Sequence, residues 1–414
     1  MDKSKLLKTY EIFDSYEKRF ARAALEKPFY IPVSEAEREA IREKVKRILG
    51  YNESRIPEIE NIEEIYKSDF GTYTVTELRY TSWRDVYGCA SLYLPKRSGK
   101  LPLAFIACGH GDGGRAYAPY VKMARRLACM GIAVIMPDNI GQGDREFMGH
   151  RNVVSPFYSG LTLQGLIVME SIALIQRFMS DERFDRERIA ALGNSGGGTQ
   201  TMLLAALCPE LSVISSSGYA SEFHYIHSKE KRHCSCNLLP GSVKELDPWE
   251  IYSVFAPKPL LLENGQFDHY FPMDYFERCA RKTKGVYSML SAEENFEKHI
   301  AKTKHGWEDQ DIDVISAFLA KHLSIDLKPS IEEVALADEF APERHIAIPG
   351  EALDTDALTE RLTGKKMPEG TRLSDVFKPT LDGNIISEDE IVSDFERGNI
   401  FDIFAQMECA LTER

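Results

Sequence analysis

The sequence predicts an α/β fold: a mostly parallel central sheet covered by helices on both faces, with a helical N-terminal and an acidic C-terminal appendage. Three observations carry this. Short apolar runs alternate with helix-periodic stretches from about residue 103 to 323, the pattern of strands buried on both faces by crossover helices. Residues 73–94 instead alternate apolar and polar side chains, as half-buried strands do. From Lys328 the composition shifts: 20 acidic against 9 basic residues run to the C-terminus, leaving the first 327 close to neutral out of a net charge of −13.

The N-terminal cover, 1–69, reads as two helices. Leu6, Tyr10, Phe13 and Phe20 recur at helical spacing before Pro28 and Pro32 interrupt. Ser34 with Glu37 forms a capping box that opens a second helix through Ile41, Val45, Ile48 and Leu49, stopped at Gly50. In the central domain, 70–327, strands are expected at 73–75, 86–94, 103–108, 132–136, 189–192, 211–215, 260–263 and 286–290. Helices are expected near 120–130, 161–179, after Ser195, 274–283 and 311–323. The segment 217–258, with Trp249, is longer than a simple connection and reads as an insertion lining a pocket. The acidic segment 328–414 reads as an accessory element, a lid or an oligomer contact.

Composition excludes several classes. An acidic tail on a near-neutral body disfavours nucleic acid and offers nothing to an anionic membrane surface. No apolar run is long enough to span a bilayer. No apolar leader follows the early lysines, so a cytoplasmic location is expected. The eight cysteines are scattered and several sit in apolar runs, the usage of a reducing compartment.

The chemistry centres on Gly193-Asn194-Ser195-Gly196-Gly197, a G-x-S-x-G turn between an apolar strand and a small-residue helix. A serine lifted on such a corner leaves no room for side chains two residues before and after it, and the new helix turns its free amides toward any oxyanion formed there. A serine hydroxyl needs a base, and the base an orienting acid. Asp268 and His305 follow in that order, each on a loop after an expected strand. His269 and His299 are rival bases and Asp274 a rival acid, although Asp274 also reads as a helix cap. The oxyanion donors are expected from the amides of Gly196 and Asp112, with Gly111 or Gly113 as neighbours of the latter. His110, Gly111 and Trp307 are the expected substrate contacts.

Two features pull elsewhere. Gly109, Gly111 and Gly114 satisfy G-x-G-x-x-G after a strand, and Asp138 ends the next one, which reads equally as a dinucleotide site. That reading leaves Ser195, Asp268 and His305 without a role. His224, His227, His233, Cys234 and Cys236 form a loose His/Cys cluster without a second spaced ligand pair, and read as a pocket-lining loop. Neither a metal nor another cofactor is expected. Arg115, Arg145 and Arg151 flank the same loops and could hold a carboxylate.

Taken with the segments 137–143, 233–241 and 256–262, the motifs His110-Gly111-Asp112-Gly113-Gly114, Gly193–Gly197, 265–268 and His305-Gly306-Trp307 resemble the α/β-hydrolase superfamily. Within it the chain is similar to the acetyl xylan esterase and dienelactone hydrolase-like branch, near prolyl oligopeptidase. The resemblance covers roughly residues 70–325. It implies an α/β-hydrolase fold and a serine esterase with Ser195, Asp268 and His305 at the matching positions, acting on a small or acetylated carbohydrate-type ester. Xylan-processing relatives are commonly exported and no leader is visible here, which favours a smaller ester over polymeric xylan. A small-molecule substrate and a homo-oligomer formed through the appendages are the expected partners. A serine peptidase of the oligopeptidase type is the alternative.

Overall fold

Alternating apolar residues that all disappear from solvent require cover on both sides of a sheet, and the central strands have it. The computed structural model describes residues 30–151, 153–228, 234–326, 345–371 and 376. Among these, nine strands form one sheet: β1 (Glu60–Asp69), β2 (Tyr73–Thr81), β3 (Tyr87–Pro95), β4 (Leu101–Ala107), β5 (Ala133–Pro137), β6 (Phe184–Asn194), β7 (Val213–Ser217), β8 (Leu260–Gly265) and β9 (Phe296–Ala301). Their order is β1-β2-β3-β5-β4-β6-β7-β8-β9. Pairing is antiparallel from β1 to the β3–β5 pair and parallel from β5 through β9.

Two helical layers cover it. Leu103, Phe105 and Ala107 of β4 face α1 (Glu35–Leu49), α3 (Leu163–Met179), α4 (Gly196–Leu207) and α5 (Met273–Met289). Their alternates Ala104 and Ile106 face α2 (Ala118–Met130) and α6 (Asp309–His322). Each fully buried Leu, Ile or Phe there contributes about 1.5–3 kcal/mol against leaving it in water, so the period-2 pattern of the strands specifies both layers at once. The capping box of Ser34 and Glu37 and the left-handed Gly50 end cap bound α1 as its sequence predicts. The N-terminal helix expected through Leu6 and Phe20 lies outside the described residues.

Three expectations change. Residues 286–290 are not a strand: Val286 and Tyr287 continue the buried stripe of Phe276, Cys279, Ala280 and Thr283 along α5, a helical spacing. The strand at that place in the order is β9, whose half-exposed, charge-rich edge position hid it. At the other edge β1 falls inside the segment assigned to the helical cover; it is mostly exposed and charged yet pairs along β2. The sheet therefore begins before residue 70. Part of the C-terminal segment is docked: Ile346 N donates to Asp144 Oδ2 at 2.7 Å, and Leu358 of α7 (Thr355–Thr363) is buried beside Met148 and Leu166.

The strand order also locates the site. The chain leaves β4 to make β5 on one side and then returns to make β6 on the other. The loops that leave the carboxyl ends of β4, β5 and β6 thus converge where the order reverses, the place where open α/β sheets bind ligands.

Candidate active site

Ser195 sits between β6 and α4 with φ 60° and ψ −122°, backbone angles that a residue with a Cβ rarely adopts. The corner is held from both sides: Ser195 N donates to Ser217 O at 3.0 Å, and Thr199 N to Ser195 O at 3.0 Å. The flanking glycines are steric necessities. A Cβ on Gly193 would lie 2.7 Å from Ala107 O, and one on Gly197 would lie 3.1 Å from Gly109 N while overlapping Ala107 O. Both sides of the elbow therefore pack on the end of β4.

Asp268 and His305 meet as expected. Asp268 is buried on the turn after β8, and its Oδ2 stands 2.7 Å from His305 Nδ1. Its Oδ1 accepts from the amides of Tyr270 at 2.7 Å and Phe271 at 3.0 Å, which orients the carboxylate. Phe271 stacks on the His305 ring at 5.6 Å between centroids, with Tyr270 edge-on at 5.0 Å. The imidazole passes over Gly218, where a Cβ would lie 3.1 Å from His305 Cε1 and 2.7 Å from Asn194 Oδ1. Gly218 follows Ser217, the residue that binds Ser195 N, so the ring and the serine share one corner. Among the described residues no hydrogen bond joins Ser195 Oγ to His305. The rivals lie elsewhere: His269 stacks on Tyr270 at the surface, His299 is paired along β8 opposite Glu263, and Asp274 is in the first turn of α5 rather than at its cap.

Beneath this corner Glu263 of β8 is buried beside Asp311 at the start of α6. Desolvation, then the Asp311 charge, pushes the Glu263 carboxyl well above the usual range. Burial raises the Asp311 carboxyl as well, so the buried pair favours holding a proton.

The glycine loop after β4 is fixed by Tyr120, whose hydroxyl accepts from Gly109 N at 2.8 Å, and by Asn139 Nδ2, which donates to Cys108 O at 2.7 Å. Gly109 and His110 are the loop residues that touch Gly196: a Cβ there would lie 2.9 Å from His110 Cε1 and 3.6 Å from Gly109 Cα. Asp112 is exposed farther along, on the rim of a cavity of about 610 Å³ that His110, Gly111, Gln142, His150, Arg151 and His345 help to line. That cavity shares His110 with the contact on Gly196, and glycines, histidines and charged side chains line it. Gly111 packs on the Tyr117 ring, leaving no space for a Cβ.

Several expected contacts fall away. Trp307 is 4% exposed and packs edge-on to Tyr120 in the core, so it touches no substrate. Trp249 is buried too, on a short helix packed between α4 and α5 rather than in a pocket wall. Arg115 and Arg145 are fully buried: Arg115 pairs with Glu77, Asp138 and Asp144, and Arg145 with Glu170. Arg115 and Arg151 both line the cavity, Arg115 with its guanidinium already engaged by these carboxylates. Asp138 faces inward, accepting from Arg115 N at 2.8 Å and Asp144 N at 3.1 Å. A carboxylate so engaged offers nothing to a ribose, and the dinucleotide reading loses its acidic partner.

The His/Cys cluster also resolves differently. His224 sits against Glu222 and Tyr275, while His233 and the His227 side chain lie outside the described residues. Cys234 and Cys236 instead meet His110 and His150. Sequence reasoning missed His150, Tyr120 and Gly218; the one available signal was Cys234-Ser235-Cys236 itself.

Comparison with known proteins agrees with this fold. Residues 50–234 match the acetyl xylan esterase (AXE1) family model. YtaP of Bacillus subtilis (strain 168), assigned to the hydrolases, is 24% identical over 206 residues, 47% of this chain and 69% of its own. Among solved structures, Methylesterase BT1017 superposes with a TM-score of 0.59 at 20% identity over 90% of this chain and 76% of its own. The glucuronoyl esterase from Solibacter usitatus does so at 0.54 and 14% identity, over 72% of this chain and 99% of its own. The chain has the α/β-hydrolase fold, resembles the acetyl xylan esterases over residues 50–234, and is a carboxylic-ester hydrolase.

Proposed function

We propose that the chain cleaves a small or acetylated carbohydrate-type ester through an acyl-enzyme on Ser195. The observation that carries this is the His305–Asp268 pair, 2.7 Å apart, suspended beside a serine at positive φ. In this reading His305 takes the Ser195 proton while Asp268 holds the imidazole in the tautomer that leaves Nε2 as base. Ser195 Oγ attacks the ester carbonyl, and His305 returns the proton to the leaving alcohol. Water, deprotonated by the same imidazole, then releases the acid.

Gly196 N is one oxyanion donor, at the start of α4. Because Gly109 N is engaged by Tyr120 and Asp112 stands out on the rim, the contacts favour the turn at His110 and Gly111 for the second donor. A cavity lined by glycine backbone, histidines and Arg151, with hydrogen-bonding groups among its walls, suits a hydroxylated substrate better than a long acyl chain.

A fluorophosphonate probe should label the chain with one equivalent, and the Ser195→Ala variant should take none. A p-nitrophenyl series is expected to favour acetate over longer acyl groups, with peptide substrates untouched. Labelling that persists in Ser195→Ala would remove the assignment, and faster peptide than ester cleavage would select the peptidase alternative.

A further inference from the structure

The loops after β4 and β5 and the segment that begins at Cys234 bring four side chains to one point without any role in the acyl-transfer scheme. The ligand-capable atoms of His110, His150, Cys234 and Cys236 all lie within 4.8 Å of one another. His110 Nε2 is 3.1 Å from His150 Nε2, 2.8 Å from Cys234 Sγ and 3.5 Å from Cys236 Sγ. The two sulfurs are themselves in bonding contact.

The hydrogen bonds show why this group lacks something. His150 Nδ1 is 2.7 Å from Ile140 O, and a carbonyl only accepts. Nδ1 therefore carries the proton and Nε2 presents a lone pair to the cluster, with Gln142 Nε2 at 3.4 Å beside it. His110 Nε2 has one proton at most to share among an imidazole nitrogen and two sulfurs. A disulfide would supply no donor and only weak acceptors. Only distant amide donors reach these lone pairs, Gln142 Nε2 at 3.4 Å from His150 Nε2 and Asn237 Nδ2 at 3.9 Å from Cys234 Sγ, and three of the four side chains are buried; such convergence is unfavourable, whereas a cation at the centre meets all four.

We propose that His110, His150, Cys234 and Cys236 bind one zinc-type divalent cation, with both cysteines as thiolates. A tetrahedron with Zn–N of about 2.0–2.1 Å and Zn–S of about 2.3 Å places ligand atoms about 3.3–3.8 Å apart, so the spacings of His110 to its neighbours need adjust by less than about 1 Å. Outer contacts of the expected kind are present: Ile140 O on His150, and Asn237 Nδ2 at 3.9 Å from Cys234 Sγ. Next to Cys234, Ser235 Oγ accepts from Val153 N at 3.1 Å, fastening the same segment. Four protein ligands close the coordination sphere, which assigns the ion a structural part: it pins the segment from Cys234 onward to the loops after β4 and β5. With Nε2 committed to the cation, His110 must carry its remaining proton on Nδ1, the edge that lies against Gly196. The ion thus sets the tautomer of a side chain at the mouth of the oxyanion pocket.

The test is elemental analysis of the full chain prepared under thiol protection and without a histidine tag. About one equivalent of zinc per chain is expected, and the same content in Ser195→Ala, which separates this site from the esterase assignment. Replacement by Co(II) should give a thiolate-to-cobalt charge-transfer band and intense tetrahedral visible bands. Cys234→Ser with Cys236→Ser should abolish the charge-transfer band, and His150→Ala should lower occupancy at least tenfold against a competing chelator. Because these variants can fail to fold, the cobalt spectrum of the unaltered chain decides alone. A reduced chain that takes up no zinc or cobalt, an intact-mass measurement that finds Cys234 and Cys236 disulfide-bonded and metal-free after reduction and zinc loading, or a cobalt spectrum without thiolate character would each overturn the proposal.

Discussion

His305 Nδ1 lies 2.7 Å from Asp268 Oδ2, and Asp268 cannot turn away because Oδ1 is held by two backbone amides. Asp268→Asn keeps the shape but offers Nδ1 a different partner and favours the wrong tautomer. Ester turnover should fall by about 10⁴-fold in kcat with KM little changed. Steady-state kinetics on p-nitrophenyl acetate test this; a loss below tenfold would assign the base to another residue.

Gly218 carries the His305 ring across its open face at φ +58°. Gly218→Ala adds a Cβ 3.1 Å from His305 Cε1 and 2.7 Å from Asn194 Oδ1, in a left-handed conformation that costs about 1 kcal/mol for a non-glycine residue. The ring must shift, so kcat should drop by about 10²-fold or more while unfolding stability falls by only about 1–3 kcal/mol. Comparing kinetics with urea midpoints separates the two effects.

Glu263 titrates far above its unfolded value because burial and Asp311 disfavour its charge. The folded state then binds a proton that the unfolded state releases above about pH 4.3, the unperturbed carboxyl value. This group's contribution is full below that pH and is lost as pH rises toward the folded pKa, by up to about 1.4 kcal/mol per pH unit. Glu263→Gln keeps a neutral donor for Asp311 and removes the titration. The variant should gain stability relative to the parent between pH 5 and 8, read from denaturant midpoints; a parallel pair of pH curves would count against a protonated Glu263.

Arg115 ties the sheet to the glycine loop and, through Asp144, to the docked C-terminal segment, since Asp144 accepts from Ile346 N at 2.7 Å and lies 2.9 Å from His345 Nδ1. Arg115→Met leaves Glu77 and Asp138 buried without their cation and should cost about 3–5 kcal/mol. Amide exchange should accelerate at 345–363 before it does in β4 or β6. Uniform acceleration throughout would mean that the network supports the core rather than this docking.

Ser195 and Asp268 were readable along the chain because each sits on a turn after an apolar run, 189–192 and 260–263, that announces a strand by composition; His305 instead follows the charge-rich β9, which the sequence hid. Where composition misleads, the reading slipped. Val286 and Tyr287 look like a strand in isolation, yet they complete a helical stripe begun at Phe276. Trp307 looks like a substrate contact beside His305, but its ring fills the core against Tyr120.

Residue type and spacing alone determined the α/β class and the strained serine corner, and narrowed the acid and base to a few candidates, because those depend on local periodicity and on glycines forced by close backbone approach; that Asp268 and His305 are the pair that meets was decided by the tertiary structure. Only tertiary structure decided that Arg115 and Asp138 neutralise each other below the surface, that the oxyanion loop meets Gly196 through Gly109 and His110, and that two cysteines face two histidines. His110 and Cys234 are 124 positions apart. No local pattern couples them; they meet because the chain crosses from β4 to β5 and back to β6, bringing separate loops to one edge of the sheet.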